Sequence, residues 1–242
     1  MELFLSFIFG LCIGSFLNVC IYRIPRGESV VYPPSHCPSC GKRIKWYDNV
    51  PLLSYLILRG KCRECGERIS PVYPFVELLT GILTSLTVWK FGVGLESLKY
   101  LILFYYLIVV SFIDLKFKEV PIRLSYLALI TGFILSGISG IESLKSSVIG
   151  ASLGAGLVLF VNETYLFFKG EEGLGGGDAN VMAVIGAFLG KDSVLPVFFL
   201  SPFFGLLGLF FMRKREIPYV PFISLGAVSF VFFRDFFKIF SF

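Results

Sequence analysis

Gly175-Gly176-Gly177-Asp178-Ala179-Asn180-Val181-Met182-Ala183-Val184-Ile185-Gly186-Ala187-Phe188-Leu189 is the stretch on which the fold turns. A glycine run ends in a carboxylate, and the carboxylate opens an apolar segment. At 1.5 Å per residue the segment 179–190 is about 18 Å long, against a hydrocarbon core of about 30 Å. Either the glycine run continues the helix, or Asp178 lies below the surface at the end of a short one. Both readings put Asp178 beside a water-accessible cavity, where irregular backbone is tolerated. An acid at the mouth of a membrane helix is costly, so its presence points to function.

Outward from this segment the chain is apolar almost throughout. It has 242 residues, 55% hydrophobic and 16% charged, with 28 Phe and 11 Tyr. A soluble domain of this length has too little interior for that much apolar surface. The expected fold is all-α, a polytopic membrane bundle of about eight transmembrane helices with one polar, cytoplasmic insert. The apolar segments are 3–21, 75–91, 98–114, 122–138, 146–168, 179–190, 193–212 and 219–237. They divide the chain into a first helix (1–24), a cysteine-bearing module (25–72) and a membrane core (73–242). The first segment has its positive charges, Arg23 and Arg26, after it rather than before it, which suits a retained helix and not a signal peptide.

Basic residues set the orientation. With the N-terminus outside, 16 of the 22 lysines and arginines fall in loops on the inner side and six on the outer. Lys116, Lys118, Lys169 and Arg213-Lys214-Arg215 are among the inner ones. That asymmetry follows the positive-inside rule and requires 179–190 to cross. The net charge of +5 is held in a few loops, a pattern of membrane topology rather than of nucleic-acid binding. The expected location is the bacterial cytoplasmic membrane, multi-pass and surrounded by lipid.

The insert holds a small internal repeat. Cys37-Pro38-Ser39-Cys40-Gly41-Lys42-Arg43-Ile44 recurs as Cys62-Arg63-Glu64-Cys65-Gly66-Glu67-Arg68-Ile69. Two such turns can supply four thiolates in a tetrahedron, a closed structural zinc site with Cys37, Cys40, Cys62 and Cys65 as ligands. The glycine after each pair permits the tight turn that aims backbone N–H groups at sulfur. Lys42, Arg43, Lys61, Arg63 and Arg68 can offset the charge. A redox dithiol pair or two disulfides are the alternatives, and a cytoplasmic location disfavours disulfides. His36, the single histidine, adjoins Cys37 and reads as a solvent-side residue before it reads as a ligand. Cys12 and Cys20 read as small apolar residues of the first helix.

Four acids lie in or beside apolar segments: Glu77, Asp114, Glu163 and Asp178. Asp178 could serve only to cap its helix. Asp114 ends one, where the dipole disfavours an anion. If both aspartates meet at one membrane face, they form a carboxylate pair able to activate water, one member ionised and one protonated. Glu77 and Glu163 read as structural or substrate-positioning. Glu171-Glu172 could attract a basic segment or be a solvated loop. No Ser/His/Asp arrangement, H-E-x-x-H motif or P-loop lysine is present.

These motifs, in this order, resemble the type IV prepilin peptidases, the leader peptidase/N-methyltransferases of pilus and type II secretion systems. The likeness covers nearly the whole chain. It rests on Gly14-Ser15-Phe16-Leu17-Asn18-Val19 with Tyr22-Arg23-Ile24-Pro25, the two C-x-x-C pairs around Asn49 to Tyr55, Tyr73-Pro74 with Glu77-Leu78, Ile113-Asp114 with Val120-Pro121, and Gly175-x-Gly177-Asp178. The resemblance implies an intramembrane aspartic endopeptidase with Asp114 and Asp178 as catalytic acids. Its partners would be prepilins or pseudopilins, whose basic leader is cut at the cytoplasmic face, typically after glycine. It also implies N-methylation of the new terminus with S-adenosylmethionine, at a site the sequence does not mark. Asn180 stands where the family usually has lysine, and Ile122-Arg123 where it often has an acid or Asn. A zinc-capped transporter or proton-coupled channel is the competing class, since membrane acids and broken helices fit it too; a membrane scaffold is a third.

Overall fold

The computed structural model describes residues 1–171, 173–211 and 218–237, and its regular elements are all helices. In chain order these are α1 (Glu2–Arg23), α2 (Leu53–Ile57), α3 (Val72–Phe91), α4 (Leu95–Phe117), α5 (Ile122–Ile138), α6 (Ile141–Lys169), α7 (Gly176–Leu189), α8 (Val194–Phe211), α9 (Val220–Phe232) and α10 (Arg234–Phe237). Each of the eight apolar segments carries one long helix. Five stretches are long and apolar enough to cross a membrane: Glu2–Arg26, Val72–Phe91, Leu95–Phe117, Ile141–Lys169 and Lys191–Gly208. Three further helices, α5, α7 and α9, are shorter but also apolar. Arg213, Lys214 and Arg215 of the inner-side basic residues, Lys238 of the six outer ones, and Glu172 of the acidic pair lie outside the described residues.

The chain divides into two compact units, Met1–Ser97 and Leu98–Phe242. In the first, α1 and α3 pack along their length. Gly10 and Gly14, four residues apart, remove the side chains that would hold the helices apart. A Cβ on Gly14 would lie 2.7 Å from the Glu77 Cα, and one on Gly10 would lie 2.8 Å from the Gly81 Cα. Small residues at this spacing let helix backbones approach in lipid, where dispersion rather than water exclusion drives association. Asn18 ties the same pair, donating to the Tyr73 carbonyl at 3.0 Å.

The second unit is built around α7. Most of its residues are buried, including Val181, Met182, Val184, Ile185, Ala187 and Phe188. It packs against α5, α6 and α9. Such a helix needs no lipid-facing stripe and no full membrane length, so its 14 residues, about 21 Å, suffice. The outward faces of α6 and α8 carry exposed Leu153, Phe160, Phe199 and Leu206, a surface that lipid would cover.

Gly150 and Gly154 of α6 repeat the small-residue device against α7. A Cβ on Gly150 would come within 2.6 Å of the Gly186 carbonyl oxygen and 2.7 Å of the Gly190 carbonyl carbon. These are backbone atoms and cannot step aside. Gly150→Val is therefore expected to cost about 1–3 kcal/mol or more by overpacking, read as a lowered unfolding midpoint in detergent. Gly156 is on the same helix, and a Cβ there meets nothing within 4 Å. Gly156→Ala should be neutral or stabilise by about 0.4–1 kcal/mol. Equal effects at the two positions would refute this account of the interface.

Candidate active site and candidate metal centre

Asp114 lies in the last turn of α4 and is buried. Its own helix dipole disfavours an anion there, and the fold compensates. The first residue of α9, Val220, donates its backbone N–H to Asp114 Oδ2 at 3.1 Å. The carboxylate thus faces the positive end of a second helix. Tyr219, just before it, is held by a 2.9 Å hydrogen bond between its hydroxyl and Ser201 of α8. Ser111 of α4 and Ser224 of α9 share another at 2.8 Å, one turn along each helix.

Asp178 is the third residue of α7, also buried. Its Oδ2 accepts the Gly175 N–H at 2.9 Å, and its own N–H donates to the Gly175 carbonyl at 3.0 Å. It therefore reaches back over the first turn instead of preceding the helix. That contact satisfies a helix-start donor, as the capping alternative anticipated. It is not the only contact. Asp178 is close enough to Asp114 for the two charges to interact, and Asp178 and Tyr219 interact as well. Two acids 64 positions apart in sequence thus come within electrostatic reach, Asp114 in the last turn of α4 facing the start of α9 and Asp178 in the first turn of α7.

Two neighbours fix the approach. After α4 the chain turns at Lys118, with φ 57°, and lays Val120 on Gly177. A Cβ on Gly177 would fall 2.8 Å from Val120 Cγ2, so this glycine is required by contact rather than by backbone angle. The other neighbour is Asn162 of α6, buried, which sequence reading missed. Its Oδ1 accepts the N–H groups of both Gly173 and Leu174 at 3.0 Å. Gly173 sits on the Tyr165 ring, where a Cβ would come within 2.9 Å. Asn162 thus seats the loop that delivers Asp178. An uncharged residue inside an apolar helix beside Glu163 was the available signal. Glu163 itself is exposed, as are Arg123 and Glu171, while Asn180 is half-buried.

Replacing Asn162 by Ala leaves two N–H groups without their acceptor and should cost about 1 kcal/mol. It should slow any reaction that uses Asp178 about tenfold through kcat, with KM little changed. Asn162→Asp keeps an acceptor oxygen and should recover most of the rate. Loss in both variants alike, or in neither, would remove Asn162 from this role.

In the first unit the two cysteine turns are near copies. Cys37 N–H donates to the Lys42 carbonyl at 2.9 Å and Cys62 N–H to the Glu67 carbonyl at 2.8 Å. Gly41 and Gly66 have φ of 69° and 72°, which β-carbon residues rarely adopt. Sulfurs of Cys37, Cys40, Cys62 and Cys65 all lie within 4.8 Å of one another, and Cys37 and Cys65 are 3.8 Å apart. A tetrahedral ion with sulfur at about 2.3 Å requires sulfurs about 3.8 Å apart. The donor set and its spacing therefore fit such an ion, and all four cysteines are free of disulfides. Backbone N–H groups of Cys40 and Ser39, against the cost of desolvation, bring the Cys37 thiol down to about 7. His36 is exposed, with its Nδ1 3.2 Å from the Pro34 carbonyl, and takes no place in the cluster. Two of the cations assigned to the cluster have carboxylate partners: Lys42 with Glu64 and Arg63 with Asp48, each at 2.6 Å.

Comparison with known proteins bears on both units. Residues 8–91 match the bacterial peptidase A24 N-terminal domain, and residues 101–210 match the type IV leader peptidase family. A Neisseria gonorrhoeae protein named prepilin leader peptidase/N-methyltransferase is 35% identical, over 88% of this chain and 82% of its own. The chain belongs to the type IV leader peptidase family. A Vibrio cholerae member of the same name is 36% identical over 95% of this chain and 94% of its own length. One from Myxococcus xanthus is 40% identical over 79% of this chain, a match that spans 57% of the relative. No solved structure matches the chain. The family's two sequence models cover the two units in turn: the first includes all four clustered cysteines, the second both aspartates.

Proposed function

We propose that this chain is a membrane-embedded aspartic endopeptidase that removes the leader from prepilins and pseudopilins, and that it also methylates the new N-terminus. What supports the peptidase reading is that Asp114 and Asp178, two buried carboxylates from different helices, each held by one backbone N–H, lie within electrostatic reach of each other. One acid ionised and one protonated can take a proton from water and donate one to the scissile carbonyl oxygen. The Val220 N–H and the seated glycine loop hold the acids in place. The family's members named above are described as N-methyltransferases as well, and this supports the second activity.

The asymmetry of basic residues supports a cytoplasmic position for both the acids and the cysteine turns. A basic leader would stay at that face while the apolar helix behind it lies in lipid. Cys37, Cys40, Cys62 and Cys65 would hold zinc, whose role in a closed four-thiolate site is to fix the two turns against each other. Nothing in the family matches favours the transporter reading.

The test is incubation of the purified protein in detergent with a prepilin-like peptide carrying a basic leader, a glycine and an apolar helix. Mass spectrometry should show a single cut after the glycine. Absence of cleavage across several such peptides, by protein that is folded and metal-loaded, would overturn the reading.

A further inference from the structure

The first unit holds a cavity of about 380 Å³ among the end of α1, the cysteine turns and the start of α3. That is within the size of small-molecule sites, about 300–1,000 Å³. Its wall includes Asn18, the rings of Tyr22, Tyr55 and Tyr73, Leu52 and, from α3, Glu77. Nothing in the carboxylate-pair mechanism uses this space.

Glu77 is the unusual member. It is 8% exposed, inside the apolar helix α3, and it has no ion-pair partner among the described residues. Its contacts are neutral donors: the Leu52 N–H at 2.9 Å and the Ser15 hydroxyl. Leu52 stands at φ 58°, a conformation rarely adopted by a residue with a β-carbon, and Glu77 holds it there. Six cations line the same wall: Lys42 pairs with Glu64, Arg63 with Asp48, and buried Arg23 donates to the Ser29 carbonyl at 2.9 Å, while Arg43, Lys45 and Arg68 line it as well; none of the six is paired with Glu77. A buried carboxylate beside aromatic faces is the environment that recognises a compact cation bearing a flat apolar ring. The methyl donor named for this activity has that form: a sulfonium joined to an adenosyl group.

We propose that this cavity binds the adenosyl sulfonium methyl donor, with the tyrosine rings against its base and the Glu77 carboxylate as counter-charge to its sulfonium. The proposal rests on the methyl-transfer half of the function above. In that transfer the N–CH3 bond forms to the neutral terminal amine as the CH3–S bond breaks. The electron pair of the broken bond stays on sulfur, leaving a neutral thioether, and the nitrogen sheds one proton to water. Glu77 binds the donor and takes no part in bond-making.

The experiment compares two ligands that differ by the charged methyl. Equilibrium binding of S-adenosylmethionine and of S-adenosylhomocysteine, its neutral thioether, is measured on the full, metal-loaded protein and on Glu77→Gln. Gln still accepts the Leu52 N–H, so metal content and unfolding midpoint should match the parent. Binding of the sulfonium should weaken about tenfold or more while the thioether changes less than twofold, and the donor KM should rise with kcat little changed. Val19→Phe, which projects a ring into the same cavity, should weaken both ligands. Equal loss of both ligands in Glu77→Gln, or none, would overturn the counter-charge assignment; undiminished binding in Val19→Phe would overturn the site. If the parent cleaves peptide but transfers no labelled methyl and binds neither ligand, the methyltransferase reading itself fails. Methyl transfer that persists in both variants with parental KM sinks only the site.

Discussion

Asp114→Asn or Asp178→Asn is expected to reduce leader cleavage by about 10²–10⁴-fold, the range carried by a positioned acid or base. The substitution is nearly isosteric and keeps an acceptor. The amide oxygen introduced at position 114 could still accept the Val220 N–H, and the one at position 178 the Gly175 N–H. The starts of α9 and α7 therefore keep the acceptors that Asp114 and Asp178 supply. What is lost is the exchange of a proton between two carboxyl groups. Removing either member disables the pair, so the double variant should be scarcely worse than the worse single one. Circular dichroism and the unfolding midpoint check that the variants are folded. Replacing a buried acid by a neutral amide can even raise the midpoint, because the acid's desolvation is relieved. Cleavage that survives at more than about a tenth of the parental rate in either folded variant would sink the paired-acid mechanism. It would reduce Asp178 to a helix-start contact, a role its bond to Gly175 could fill alone.

Much of this arrangement is legible in the sequence, because membrane segments and metal turns are local patterns. All eight apolar segments carry helices, and the repeat of Cys-x-x-Cys-Gly with a basic residue two positions later announces two matched turns. The structure adds what only non-local contact supplies. Asp114 looks unfavourable at the end of α4 until α9 is seen to aim its first N–H at it; the two residues are 106 positions apart. Gly177 looks like backbone freedom but is a space requirement set by Val120. Gly10, Gly150 and Gly154 belong to no motif, and only the partner backbones reveal why a side chain is excluded there, as it is at Gly14. Asn162 carries no motif, and its importance lies in two N–H groups 11 and 12 residues away. Short α7 defeated simple length counting because it is enclosed by protein, so the bilayer thickness does not set its length.

The largest expected effect on stability is at the cysteine turns. Between Gly27 and Pro71 only Cys37, Ser54 and Gly60 are buried, while Val31, Trp46, Leu53, Leu56 and Ile57 are exposed. A segment of that length with no apolar interior cannot offset its chain entropy by burial. Hydrogen bonds within each turn and the Arg63–Asp48 pair are too exposed to hold it. A four-thiolate ion can, since structural zinc in small domains contributes about 10–16 kcal/mol of apparent binding free energy. Metal analysis of the parent should give about one zinc per chain. Cys37→Ser or Cys62→Ser, or a strong chelator, should remove it and open 27–71 to limited proteolysis. The cavity bounded by these turns should then lose its methyl donor. Leader cleavage should fall far less than in Asp114→Asn, because the aspartates belong to the other compact unit. Far less than one metal per chain in protein purified without chelator, or an unchanged proteolytic pattern in Cys37→Ser, would show that something other than zinc orders the insert.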